Sequence, residues 1–81
     1  MSRLSDDDEA AFLLGEAVAV DSSAVAAARY DHDARTLFVR FTSGPTWYSY
    51  PGVAFGTARL FAEAESKGKF MARHFPKPWK G

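Results

Sequence analysis

The clearest alternation of apolar and polar positions lies near the middle of the chain. Between residues 36 and 42, Leu37, Val39 and Phe41 occupy alternate positions. Because successive side chains of a strand point to opposite faces, these three share one face. The pattern predicts a strand at Thr36–Thr42 that buries this face.

Weaker patterns of the same kind flank this strand. Ala24–Tyr30 precedes it and Thr46–Tyr50 follows it, and the connecting segments Asp31–Arg35 and Ser43–Pro45 have the composition of turns. Three strands with short connections predict an antiparallel β-meander. An earlier apolar stretch, Val18–Val20, predicts only a short extended segment.

After the strands, the apolar spacing becomes helical. Ala54–Ser66 carries Ala58 and Phe61 at helical spacing and predicts the main helix. Gly68 is expected to end this helix in the left-handed conformation. Lys69–Phe75 predicts a short second helix.

The N-terminal segment predicts a further short helix at Asp6–Leu14. Ser5 is a suitable N-cap, and acidic residues follow at the positive end of the helix. A helix of this length is not stable alone and must pack on the rest of the chain. The fold class is therefore α+β, with a three-stranded antiparallel β-meander packed on one main helix, a short second helix and a short N-terminal helix. The predicted core contains Leu37, Val39, Phe41 and Phe61.

Composition narrows the classes of protein. The chain has 81 residues, which is one domain, and it contains no cysteine, which excludes disulfides and cysteine-ligated metals. No apolar run approaches the roughly 20 residues of a membrane span. The acidic start lacks the apolar stretch of a signal peptide. We expect a cytoplasmic protein with no membrane partner.

Charge is unevenly distributed although the net charge is zero. Residues 1–33 hold two basic and eight acidic residues, and residues 34–81 hold eight basic and two acidic ones. Such a chain either presents a basic face to a partner or lets its two halves attract each other in the fold.

Two tyrosines are candidates for a binding surface. Tyr48 and Tyr50 lie two apart on a predicted strand, so their rings leave the same face. On an open face they would stack on unpaired bases, and Phe38 and Arg40 of the neighbouring strand would extend that surface. The alternative is that the two rings form core under the main helix.

A basic cluster with no acid between its members follows the main helix. Arg73 is suited to bidentate phosphate contact. His74, the next residue, either contacts the nucleic acid as well or packs against the domain. The alternative for the cluster is a solubilising helix end and tail, where cations are favoured by unpaired carbonyl groups. The cluster consists of Lys67, Lys69, Arg73, Lys77 and Lys80.

Catalytic and metal-binding patterns are weak. Ser22, Ser23 and His74 do not have the spacing of a nucleophile elbow, and no phosphate-binding glycine-rich loop is present. His32 lies between two aspartates, a pattern more typical of a solvated turn than of a metal site. We expect no enzymatic activity, no cofactor and no bound metal.

Four short motifs together resemble a known family. They are Ser22–Ser23, Tyr48–Tyr50, Ala64–Phe70 (Ala-Glu-Ser-Lys-Gly-Lys-Phe) and Arg73–His74. Their order and spacing are similar to those of the KTSC domain, a short bacterial and phage domain that also occurs at the C-terminus of some lysyl-tRNA synthetases. The resemblance implies this fold, and RNA binding is the function conjectured for the family.

The resemblance also implies a division of the chain. Residues 1–21 are an N-terminal extension, residues 22–75 are the KTSC-like domain, and residues 76–81 are a C-terminal tail. Trp79 in the tail is expected to dock on the domain or to anchor a partner.

The functional expectation is a small non-catalytic binding module. Its first candidate partner is single-stranded or structured RNA. The alternative is a protein-interaction module, such as a small phage or bacterial regulator that docks on a larger enzyme or on a second copy of itself. The candidate nucleic-acid-binding residues are Tyr48, Tyr50, Arg40, Lys67, Lys69, Arg73 and His74.

Overall fold

Antiparallel strands form a single sheet in a computed structural model that describes residues 4–75 of the chain. The elements in chain order are α1 (Asp6–Leu13), β1 (Val18–Ala19), β2 (Val25–Asp31), β3 (Thr36–Phe41), β4 (Trp47–Tyr50), α2 (Phe55–Glu63) and α3 (Lys67–His74). The strand order is β1-β2-β3-β4, so every neighbour in the sheet is also the neighbour in the chain. The predicted α+β meander is confirmed, but it has four strands instead of three.

The additional strand is the short segment that the sequence indicated only as extended. Val18 pairs with Ala28 and Ala19 pairs with Ala27, which places β1 beside β2. These two residues have little tendency to form a strand alone, and they do so here because β2 provides an edge for hydrogen bonding.

One face of the sheet, called the covered face, packs against the helices. Cross-strand pairing places Leu37 between Tyr30 and Tyr50, and Val39 between Ala28 and Tyr48. The covered face is made of Val18, Ala28, Tyr30, Leu37, Val39, Tyr48 and Tyr50. The other face, called the open face, is made of Ala19, Ala27, Arg29, Phe38, Arg40, Trp47 and Ser49.

Aromatic rings fill the space between the covered face and the helices. The Phe61 ring of α2 lies 5.7 Å from that of Phe12 in α1 and 5.6 Å from that of Phe70 in α3. Phe12 also contacts Tyr30, with ring centroids 6.3 Å apart. Because α1 contributes a fully buried ring, the N-terminal helix is part of the main core.

The predicted core is confirmed at three of its four positions. Leu37, Val39 and Phe61 are fully buried. Phe41 is only half-buried, since it lies at the end of β3, where its ring packs on Tyr48 at the margin of the core. The alternation predicted its face correctly, but it did not predict that Phe41 is only partly buried.

The predicted and observed helix boundaries differ most after Glu63. The predicted main helix runs to Ser66, whereas α2 ends at Glu63 and Ala64 is already extended. Ser66 instead caps α3, and its Oγ accepts a hydrogen bond from the backbone N–H of Lys69 at 3.2 Å.

Gly68 lies inside α3 and does not end a helix in the left-handed conformation as predicted. A Cβ atom at this position would lie 3.1 Å from the Cβ of Ala24, which is closer than side chains normally approach. Glycine therefore lets α3 pack tightly against the start of β2.

The predicted N-terminal helix and its N-cap are confirmed, because the Ser5 hydroxyl accepts a hydrogen bond from the N–H of Asp8 at the start of α1.

Alkaline pH should destabilise the protein through Tyr30. The buried Tyr30 hydroxyl donates a hydrogen bond to the carbonyl of Val53 at 2.7 Å, and burial raises its pKa above the ordinary value of 10.0. The folded chain thus retains this proton more tightly than the unfolded chain. The resulting stability is complete below pH 10.0 and is lost as pH rises above it.

Urea unfolding measured at neutral pH and above pH 10.0, the ordinary tyrosine pKa, tests this loss of stability. Tyr30→Phe should be less stable than the wild type by about 1 kcal/mol at neutral pH, because the Val53 carbonyl loses its donor. The difference should shrink in alkaline solution, since phenylalanine cannot ionise. A difference that stays constant with pH would contradict the assignment to Tyr30.

Candidate nucleic-acid interface

The tyrosine pair belongs to the covered face. Tyr50 is buried and its ring lies 4.8 Å from that of Phe75, and burial, followed by the neighbouring Tyr48, raises the pKa of Tyr50. Tyr48 is half-buried, with its ring 5.7 Å from that of Phe41. The packing interpretation of these residues therefore fits the structure, and the Tyr50 ring is not available for base stacking.

Arg40 and Phe38 do not extend the tyrosine surface as expected. They pair with Trp47 and Ser49 across β3 and β4, while the residues between them pair with the tyrosines. Arg40 is therefore on the open face, opposite to Tyr48 and Tyr50. The sequence indicated the alternation within each strand but not the register between them.

The open face presents aromatic rings and arginines in alternation. Arg40 lies directly opposite Trp47, whose surface is 41% exposed. Phe38 lies between Arg29 and Ser49 on the neighbouring strands. These five residues, Arg29, Phe38, Arg40, Trp47 and Ser49, are called the open-face platform.

Arg29 is held in place by its surroundings. Its guanidinium carbon lies 5.2 Å from the centre of the Phe38 ring. Its Nε donates a hydrogen bond to the carbonyl of Gly15 at 2.8 Å, and its Nη2 lies 3.9 Å from an Asp31 carboxylate oxygen. This arrangement fixes both the cation and the ring beneath it.

Arg40 differs from Arg29 in its electrostatic surroundings. Within residues 4–75 it has no ion pair, and its side chain is half-buried beside the exposed Trp47. It can therefore contact an anion without first breaking an ion pair.

Sequence reasoning missed Trp47 and Arg29. Trp47 precedes Tyr48 and Arg29 precedes Tyr30, so each must point away from the face of its tyrosine neighbour. Once the tyrosines are assigned to the core, this alternation is enough to place both residues on the open face.

Lys67 does not belong to the predicted basic surface cluster, because its side chain is fully buried. Its Nζ donates hydrogen bonds to the carbonyls of Ala62, at 3.2 Å, and of Ala64. It also lies 5.6 Å from the centre of the Phe61 ring. The ammonium group thus satisfies carbonyls at the end of α2, which is the role that the helix-end alternative gave to this lysine.

Lys69, Arg73 and His74 are exposed on α3 and line one groove of about 430 Å³. The His74 ring stacks on that of Phe70, with centroids 4.2 Å apart and planes at 25°. The groove, called the α3 groove, is lined by Ala64–Ser66, Lys69, Phe70, Arg73 and His74. Lys77, Trp79 and Lys80, which the sequence also singled out, lie outside the described residues.

The other candidate chemistry is sparse. His32 is exposed in the turn after β2, with its Nδ1 3.6 Å from an Asp33 carboxylate oxygen. Within residues 4–75, histidine, cysteine, aspartate and glutamate residues nowhere form a group of three or more that could hold a metal ion. No helix in the same part of the chain is long and apolar enough to cross a membrane.

Comparison with known proteins agrees with the fold. Residues 21–77 match the sequence model of the KTSC domain. The crystal structure of a KTSC domain protein from Yersinia pestis is 32% identical in sequence and superposes with a TM-score of 0.69, over 74% of this chain and 83% of that chain. No curated protein matches the chain.

Proposed function

The chain belongs to the KTSC domain family, and we propose that it is a non-catalytic module that binds single-stranded RNA on the open face of its sheet. The observation that carries this proposal is the open-face platform, where an exposed tryptophan and a half-buried phenylalanine alternate with two arginines. RNA is the ligand that the family resemblance implies.

Trp47 would stack on one base, and Phe38 would stack on another with the ring face that Arg29 does not cover. Stacking of a base on an aromatic side chain contributes about 1–3 kcal/mol and tolerates any sequence, because every base has a π-face. The two rings are on adjacent strands and point to the same side, so successive bases of one strand can reach both.

Arg40 and Arg29 would contact the phosphates. An arginine that replaces counterions at a phosphate makes the affinity depend on salt. Arg29 is already oriented by Gly15 and Asp31, so little side-chain entropy is lost when it contacts an anion. Arg40 contributes the charge without a competing carboxylate.

Fluorescence-anisotropy titration with labelled single-stranded RNA at two salt concentrations tests the proposal. Trp47→Ala should weaken binding roughly 5- to 150-fold through lost stacking, with the salt slope unchanged. Arg40→Gln should weaken binding less and reduce the salt slope by about one phosphate contact.

Matched controls come from the helical side of the molecule. Leu60 is 56% exposed on α2, so Leu60→Ala removes an exposed apolar side chain away from the platform. Arg59→Gln removes one exposed positive charge from the same helix, together with its ion pairs to Glu9 and Glu63. Both controls should bind as the wild type does, and melting curves must show that all four variants are folded. Absence of binding by the wild type at low salt would overturn the proposal.

A protein-interaction module is the second candidate, and it rests on a different observation. Phe55 and Leu60 are exposed apolar residues of α2, and Leu14 is a third at the end of α1. If RNA does not bind, these side chains are the first to replace in an assay of partner binding. Light scattering over a range of protein concentrations would reveal self-association, which RNA binding alone does not require.

A further inference from the structure

The α3 groove has features that packing of the domain does not explain. Lys69 and Arg73 are four residues apart on one helix, so their like charges repel. Lys69 also lies in the first turn, where the helix end is already positive. Within residues 4–75 neither side chain has an ion pair. An anion bound between them would offset both the repulsion and the unfavourable position of Lys69.

The groove also has a flat aromatic wall. His74 stacks on Phe70, and the Phe70 ring in turn packs edge-on against Phe61 of the core at 5.6 Å. The imidazole is thereby anchored through a series of rings, while His74 itself remains exposed. A second planar group can stack on the exposed imidazole.

An acid lies on the rim of this otherwise basic groove. Glu65 is exposed and has no ion pair in the described part of the chain. A carboxylate disfavours a purely anionic ligand, but it accepts hydrogen bonds from the hydroxyls of a ribose. The hydroxyl of Ser66, which caps α3, lies beside it.

We infer that the α3 groove is a binding site for a nucleoside 5′-phosphate. Lys69 and Arg73 hold the phosphate, the base stacks on the exposed side of His74, and Glu65 accepts hydrogen bonds from the ribose. The ligand is either a free mononucleotide or the phosphorylated 5′ end of an RNA strand, which share this chemistry. The inference does not rest on the open-face platform, since α3 packs on the covered face of the sheet.

NMR titration of the full chain with adenosine 5′-monophosphate, adenosine and inorganic phosphate tests the site. The monophosphate should shift the amide signals of residues 65–74 and bind at least about tenfold more tightly than either fragment, because charge-assisted hydrogen bonds and stacking act together. Equal binding by inorganic phosphate would overturn the nucleoside part. Absence of binding by the monophosphate would overturn the whole inference.

Variants of exposed residues assign the roles. Arg73→Gln and Lys69→Gln should each weaken binding of the monophosphate roughly tenfold or more. His74→Ala should weaken binding of the monophosphate but not of inorganic phosphate, whereas His74→Phe should retain most of the affinity through stacking. Trp47→Ala should have no effect, and this separates the α3 groove from the proposed RNA surface. An equal loss on His74→Phe and His74→Ala would contradict the stacking role.

The two sources of the ligand are separated with short RNAs that carry either a 5′-phosphate or a 5′-hydroxyl, tested in Trp47→Ala protein. Preference for the phosphorylated strand over the monophosphate identifies an RNA end as the ligand. Equal binding of the two strands, weaker than that of the monophosphate, identifies a free nucleotide. If both strands bind equally, and each binds as tightly as the monophosphate, the assignment of Lys69 and Arg73 to a terminal phosphate is overturned.

Discussion

Replacing Phe61 with alanine should lower the free energy of unfolding by about 3–5 kcal/mol. The side chain is fully buried and touches rings from two other helices, so its removal leaves a cavity that no single neighbour can fill. It also removes the ring beside the Lys67 ammonium group. A domain of this size has a total stability of roughly 5–10 kcal/mol, so the variant should be largely or partly unfolded near physiological temperature.

Thermal and urea unfolding of matched variants measures this loss. Leu60→Ala changes the adjacent but exposed position of the same helix and should have little effect. Phe41→Ala should be intermediate, because Phe41 is only half-buried at the end of β3. If Phe61→Ala melts within about two degrees of the wild type, the assignment of Phe61 to the centre of the core is wrong.

The strand pattern predicted which side chains share a face, but not which face meets the helices in every strand. In β3 the choice was clear, because Leu37 and Val39 are aliphatic and alternate with Arg40. In β4 both faces contain aromatic residues, Trp47 on one and the tyrosines on the other. Pairing with β3 decides between them, and that register depends on the turn geometry of the intervening loop.

The bulge in β2 is another feature that local pattern could not reveal. Val25 pairs with Phe41 and Ala27 pairs with Arg40, so an additional residue, Ala26, shifts the alternation within the strand. Val25 therefore faces the core, while Ala27 lies on the open face. An uninterrupted period of two would have placed both on the same side.

Lys67 shows why charge alone is a poor guide to a binding surface. The sequence placed it in a basic cluster, and its burial depends on where α2 ends and α3 begins. Both boundaries differ from the predicted ones by a few residues. Lys69 is only two residues further along the same helix, about half a turn away, and it stays exposed.

These differences change the choice of variants for a test of RNA binding. Tyr50→Ala would combine any loss of binding with loss of core packing, since Tyr50 is buried against Phe75. Neutralising Lys67 would leave carbonyls at the end of α2 without their donor. Trp47 and Arg40 avoid both problems, because they lie on the open face.

Deletion of residues 1–21 should cost at least as much stability as the loss of the Phe12 side chain alone, about 3–5 kcal/mol. The family match begins at residue 21, so the deletion leaves the matched part almost intact. It removes the fully buried Phe12 ring, which contacts Tyr30 and Phe61. It also removes β1 and exposes the edge of β2, and an exposed strand edge promotes association between chains.

Phe12→Ala in the full chain is the variant that separates these two effects. It should reproduce the part of the stability loss that comes from the Phe12 ring. Because β1 still covers the edge of β2, the variant should remain monomeric under conditions in which the truncated chain associates. Leu14→Ala, at an exposed position of the same segment, should melt as the wild type does. Urea unfolding and size-exclusion chromatography with light scattering measure the two quantities. A truncated chain that matches the wild type in both would show that the segment contributes neither core packing nor edge protection.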